Sequence, residues 1–320
     1  MAITQRPRFD SVDALRGITV AAMLLVNNPG DWTHIYAPLR HAAWDGCTPT
    51  DLIFPFFLFV VGVSITLAQD ALTDRAIVLR ALRIVGLGLV LHAFAYLILD
   101  QPMYRIPGVL QRIGLCFGAA ALLARHTRPL TQWGIIGAIL LGYWAWMGWG
   151  EPYAIDGRPD PEGVASTFPA IATTLLGVRA AEWLRRGTLW PLGVAGVVLL
   201  LAGEAWAQAF PFNKTLWTSS YVLWTGGWAM LALAVVDEAI DKQRWPAIGR
   251  RMGRNAIAIY AGAWLMSVLF DAWRWHEPLY KALLWLPSPE AASLAYAALF
   301  TLAWWIVAVW LDRRAIYVRI

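Results

Sequence analysis

Cysteine is scarce: the 320 residues hold two, Cys47 and Cys116, too few for a disulfide framework. Cys116 lies inside an apolar run, and both are expected to pack as small side chains. Charge is scarce as well. Asp, Glu, Lys and Arg make up 15% of the chain, against about a quarter in an ordinary soluble protein, which argues against a water-soluble globular domain. The net charge of +5 is dispersed rather than gathered into one basic patch, so nucleic acid is not an expected partner. No pair among the five histidines has metal-ligand spacing, so no metal site is expected. No internal repeat is evident, which weakens an inverted-repeat transporter. No small-x-small cleavage site follows the first apolar run, and Asp13 and Arg16 interrupt its start. The segment "MAITQRPRFDSVDALRGITVAAMLLVNN" therefore reads as a retained first membrane helix rather than a signal peptide.

Apolar and aromatic residues are what the chain has in excess. It is 59% hydrophobic and carries 20 tryptophans, with a mean hydropathy of +0.52. Tryptophan suits membrane interfaces, where the ring meets acyl chains and the indole N–H meets headgroups. Apolar runs of roughly 18–23 residues, enough for a ~30 Å hydrocarbon core, recur at 12–28, 51–69, 77–99, 107–124, 131–149, 165–184, 190–210, 216–236, 254–274 and 291–311. The sixth is interrupted by Pro169 and Arg179. Counting Lys and Arg over alternate ends and loops gives 17 on one side and 6 on the other, with three more inside spans. By the positive-inside rule this predicts an all-α bundle of about ten transmembrane helices with both termini cytoplasmic. The longest connections, 29–50, 150–164 and 237–253, leave no room for a separate soluble domain. Residues 1–320 therefore read as one membrane domain.

Polar groups gather where hydrocarbon should begin. In "LRHAAWDGCTPTDLIFPFFLFVVG" (39–62), His41 precedes the second span, and Asn27 and Asn28 close the outer end of the first. Imidazole is the side chain best suited to taking a proton near neutral pH; the alternative is a solvated loop histidine bonded to a carbonyl. Asp13 and Arg16 share a helix face at i, i+3 spacing near the cytoplasmic end, where a mutual ion pair at the headgroups is the plainer reading. Arg105 and Arg112 bracket "RIPGVLQR", whose Pro107 and Gly108 mark a helix start or break and suit an anion or substrate station. The loop "DGRPDPEG" offers three carboxylates, Asp156, Asp160 and Glu162, and "FPFNKTLWTSSYVLWTGG" runs Asn213, Lys214 and Trp217 into a span. Aromatic faces beside hydrogen-bonding groups suit a sugar, although an interfacial belt predicts the same aromatics. Glu204, inside the seventh span, needs a partner or a wet cavity.

The segments "RFDSVDALRGITV…LLVNN", "RHAAWDGCTPTDLIFPFFLFVVGVSI", "RIPGVLQRIG", "DPEG", "NKTLWTSSYVL" and "GRNAIAIY" occur in this order. Together they resemble the membrane portion of the heparan-α-glucosaminide N-acetyltransferase family and its bacterial relatives, a branch of the transmembrane acyltransferases. The resemblance implies a multi-pass protein of a bacterial inner membrane that moves acetyl from cytosolic acetyl-CoA to a glucosamine-like amine on the far side. It makes His41 the catalytic histidine and Asn27 its polar partner. Cytoplasmic basic residues, Arg8 and Arg83, are expected to meet the CoA phosphates, with Arg16, Arg112, Arg313 and Arg314 as further candidates. The acceptor is expected against Trp44, Asp45, Asp160, Glu162, Asn213, Lys214 and Trp217. A homodimer is allowed by the resemblance and fixed by no sequence feature. The competing class is a transporter for N-acetylglucosamine or a related amino sugar.

Overall fold

The computed structural model describes residues 9–68, 72–148, 154–155 and 158–318. Arg8 and Asp156 lie outside them, and for Arg158 only the backbone is described. The chain runs α1 (Asp10–Asn27), a single 3₁₀ turn (Ala37–Leu39), α2 (Pro49–Ala68), α3 (Asp74–Ile98), α4 (Val109–His126) and α5 (Pro129–Met147). A two-residue antiparallel ribbon, β1 (Ala154–Ile155) on β2 (Arg158–Pro159), leads into α6 (Val164–Arg185). Then follow α7 (Trp190–Ala207), α8 (Ser219–Asp237) with one π turn (Glu238–Lys242), α9 (Arg250–Arg254), α10 (Ala256–Ala272), α11 (His276–Lys281) and α12 (Pro289–Arg313).

Among the described residues, six helices are long and apolar enough to cross a membrane: α2, α3, α6, α7, α8 with its π turn, and α12. The chain is a helical membrane protein. Local chemistry sets the helix starts. Thr73 and Ser288 cap α3 and α12 by accepting from Ala76 N–H (3.2 Å) and Ala291 N–H (3.1 Å), and Pro129 opens α5, where a missing N–H costs nothing. The sixth helix runs unbroken through both of its interruptions. Pro169 falls early in α6, where it removes a single ladder bond. The Arg179 guanidinium is held by Gln132 Oε1 (2.8 Å) and Glu182. The ninth run is α10 to within two residues at each end. Just ahead of it Asn255 separates the short α9 from α10, and its side chain binds Ile316 C=O (3.0 Å) and Val318 N–H (2.9 Å), pinning the C-terminal stretch of chain.

Helices α2 and α6 form the centre. Their backbones touch: a Cβ on Gly62 would fall 1.9 Å from Thr174 O, and one on Gly177 would fall 1.9 Å from Phe59 O. In lipid, where apolar side chains gain little by leaving the solvent, such close approach is a principal source of helix association. Helices α3, α7 and α12 lie outside this centre, with no more than 22% of each apolar stretch buried. Val198 and Leu201 on α7 and Leu302 and Ile306 on α12 are among the residues pointing outward, as lipid-facing surface requires. Gly62→Leu should force the two backbones apart and destabilise the protein by more than the ~1–3 kcal/mol of ordinary overpacking. Gly137→Leu, in α5 with open space around it, should be neutral. Thermal unfolding in detergent checks both.

Candidate active site

The site is built around a buried carboxylate. Asp51 is the third residue of α2 and is 1% exposed. Thr48 lies just ahead of the helix and donates to Asp51 Oδ2 from its N–H at 3.0 Å, while its single hydroxyl proton lies between Arg40 C=O (2.8 Å) and Asp51 Oδ2 (3.0 Å). This is a capping-box arrangement with Asp at its last position. Ala42 N–H adds a further bond at 3.0 Å, and the α2 dipole favours negative charge there. The remaining oxygen, Oδ1, faces His41 Nδ1 at 2.6 Å. A carboxylate can only accept, so the imidazole carries its proton on Nδ1 and keeps a lone pair on Nε2. His41 is far more open than its partner, with 42% of its side chain exposed. From behind, Tyr221 O–H donates to the Asp51 carbonyl at 2.6 Å.

Lys214 comes from the loop between α7 and α8. Its Nζ sits 3.1 Å from His41 Nδ1 and 3.2 Å from Nε2, and 3.9 Å from Asp51 Oδ1. Burial pushes its pKa below the ordinary lysine value; the Asp51 charge pulls it back without cancelling the shift. Asn213 shapes this loop. Its Oδ1 accepts from Leu216 N–H (2.9 Å), its own N–H donates to Thr218 Oγ1 (3.1 Å), and its amide reaches Asp45 Oδ1 (3.4 Å). Trp217 is wholly buried: its indole N–H donates to Thr173 Oγ1 at 3.1 Å, and the Arg112 guanidinium lies 4.9 Å from its ring centroid. Burial, with Asp51 adding to it, pushes the Cys47 thiol up to about 12, so a thiolate acyl carrier there has no support at neutral pH.

His41 and Lys214 line a cavity of about 380 Å³ together with Asn27, Trp44, Asp51, Arg105, Glu162 and Tyr260, a size suited to a small ligand. Arg105 forms its far wall, clamped by Asp160 (2.8 and 3.1 Å) and by Glu162. Burial raises the Asp160 carboxyl, but the Arg105 fork, the Glu162 N–H and the Arg112 charge together hold it below the ordinary value.

A second cavity of about 260 Å³ lies toward the other end of the same helices and is lined by Arg16, Ser64, Arg80, Phe117, Arg254 and Ile257, among others. Arg16 donates to Asp13 (3.0 Å), Gly253 C=O (3.1 Å) and Ser64 Oγ (2.7 Å), and Arg80 lies 5.0 Å from the Phe117 ring centroid. The two cavities share α1, α2, α4 and α10. Phe54 and Tyr260 line the first, and Phe57 and Ile257, one turn away on the same helices, line the second.

Of the sequence candidates, His41, Asn27, Trp44, Glu162 and Lys214 meet in one cavity. No hydrogen bond joins Asn27 to His41 among the described contacts; the imidazole's partner is Asp51, which the spacing T-x-x-D before an apolar run signals. Asp45 and Asn213 bind each other, Asp160 holds Arg105, and Trp217 supports the floor. Arg16 lines the second cavity. Arg112 does not: it is buried at the His41 end, donating to Gly163 C=O (3.2 Å) and Ser166. Arg83, Arg313 and Arg314 are exposed outside both cavities. Arg80, one turn before Arg83, takes the cavity-facing position, and Arg254 and Tyr260 were likewise not singled out.

A family model described as "Heparan-alpha-glucosaminide N-acetyltransferase, catalytic" matches residues 8–205, which include His41, Asp51, Arg80 and the Asp160–Gly163 turn. The chain belongs to this family. Among its relatives are the heparan-alpha-glucosaminide N-acetyltransferases of Homo sapiens, 27% identical over 80% of this chain and 52% of theirs, and of Mus musculus, 26% identical over 80% and 53%. The chain thus spans about half the length of the curated relatives it matches.

The Asp160 shift sets a pH dependence. A lowered carboxyl stabilises the turn above its unfolded pKa of about 4, and this is lost as pH falls through the lower folded value. Arg105→Gln should move that loss up toward the ordinary value, read as amide exchange across 160–163 against pH.

Proposed function

We propose that the protein is a transmembrane acetyltransferase carrying acetyl from acetyl-CoA to the amine of a glucosamine-like acceptor. The observation that carries this reading is the His41–Asp51 pair in a cavity that shares its helices with an arginine-lined one. The arginine cavity fits a polyanionic donor: Arg16, Arg80 and Arg254 would hold its phosphates, for which guanidinium is well suited. When bound, acetyl-CoA supplies an activated thioester. Its pantetheine arm would run along α1, α2, α4 and α10 toward His41.

In this mechanism His41 Nε2 takes the proton from the attacking amine, and Asp51 holds the ring in register and stabilises the imidazolium that forms. Asn27, on the cavity wall, would donate to the carbonyl oxygen as negative charge develops; one such donor contributes ~3 kcal/mol. His41 then returns the proton to the departing thiolate. Trp44 and Glu162 line the acceptor's side. In the membrane, the reading is ten crossing helices with both termini on the cytoplasmic face of a bacterial inner membrane. That topology follows the bias in basic residues and opens the His41 cavity outward.

The test is acetyl-CoA turnover by purified protein against a panel of amino sugars. Wild type should N-acetylate glucosamine. His41→Ala should lose activity, and Asp51→Asn should fall on the order of a hundredfold or more in kcat. Amino-sugar accumulation in sealed vesicles with no acetyl-CoA turnover would identify a carrier instead.

A further inference from the structure

Lysine is rare here: three of the 26 basic residues are lysines, at 214, 242 and 281. Two are ordinary helix-surface residues, each paired with a glutamate one turn earlier, Lys242 with Glu238 (3.4 Å) and Lys281 with Glu277 (2.6 Å). The third stands in the candidate active site. Lys214 Nζ approaches both nitrogens of His41 almost equally and lines the same cavity. A permanent ammonium makes a poor neighbour for a ring whose task is to become positive. Partial burial favours the neutral amine, the state in which lysines act as nucleophiles. The amine nearest the catalytic base is therefore one of the protein's own.

We propose that Lys214 is a self-acetylation site, modified when donor is bound and the acceptor is absent. The proposal rests on the transferase reading. His41 Nε2 accepts a proton from Lys214 Nζ, and the nitrogen lone pair attacks the thioester carbonyl carbon. A C–N bond forms and the C–S bond breaks. The sulfur leaves as thiolate and takes its proton from the imidazolium. The balance is one thioester and one amine giving one amide and one thiol, with nothing oxidised or reduced. The product amide is stable, so the change persists. It removes the amine beside Asp51 and fills part of the cavity with an acetyl group. An acceptor occupying the cavity competes for the same base and protects the lysine. The consequence is a covalent brake that engages under acceptor shortage.

The experiment incubates full-length protein in detergent with acetyl-CoA, with and without saturating glucosamine, and maps acetyl groups by mass spectrometry after digestion. Acetylation should accumulate at Lys214 ahead of Lys242 and Lys281, be suppressed by glucosamine, and reduce transfer activity in proportion. It should be about a hundredfold slower in His41→Ala, and in Asp51→Asn it should slow in parallel with transfer, which keeps the comparison valid if the alanine variant folds poorly. Lys214 left unmodified in the incubation without glucosamine, by protein that acetylates glucosamine when it is supplied, would overturn this proposal alone, as would equal labelling in wild type and Asp51→Asn, which marks plain chemical acetylation. Absence of both reactions would overturn the transferase reading with it.

Discussion

A negative charge buried at the head of α2 organises this protein. Desolvating a carboxylate is costly unless it is paired and hydrogen-bonded, and Asp51 meets that condition by drawing in three separate stretches of chain. The loop ahead of α2 supplies Thr48, Ala42 and His41; the loop before α8 supplies Lys214; α8 itself supplies Tyr221 to the carbonyl. All but Tyr221, which serves the backbone carbonyl, converge on the carboxylate. The same convergence sets His41 Nε2 at a cavity beside Lys214 Nζ. Stability and the proposed chemistry share a residue here, and the polar crowding ahead of an apolar helix follows from it.

The rest of the molecule spaces this cluster from a second one. The α2–α6 backbone contact at Gly62 and Gly177 fixes the central pair. Helices α1, α4 and α10 complete the wall that both cavities share. Each cavity has its own charge logic. At the His41 end, Arg105 is consumed by Asp160 and Glu162, so the wall is near neutrality and presents mixed donors and acceptors. At the other end Arg16, Arg80 and Arg254 share few carboxylates, chiefly Asp13 and Asp312, and the wall stays basic. An arrangement of this kind suits the proposed reaction, with an anionic donor at one end and an amine acceptor at the other.

Much of the fold was legible because hydrocarbon-crossing helices leave long apolar runs, and the helix positions follow those runs closely. What the runs do not show comes from packing. Asn255 separates the short α9 from α10, and its amide serves the C-terminal backbone, a contact 61 residues away that no local pattern encodes. Pro169 and Arg179 did not interrupt α6, since one was tolerated near a helix end and the other found Gln132 and Glu182. In the site, His41 is marked by its chemistry together with the family resemblance. Asp51 is signalled only by the spacing T-x-x-D, because its role depends on the loop folding back over it. Trp217 looked like a sugar platform and is a buried support. The resemblance points to Arg83, while Arg80 lines the second cavity beside Phe117, a helix phase that only the packing sets.

The account turns on donor and acceptor reaching one base from opposite ends of the bundle. The direct measurement uses sealed vesicles with the amino-terminal end of the protein facing the lumen, loaded with acetyl-CoA and given glucosamine outside. The account predicts N-acetylglucosamine in the external medium while the vesicles stay intact. Product that forms only after the vesicles are broken, when both substrates reach the same face, would contradict it.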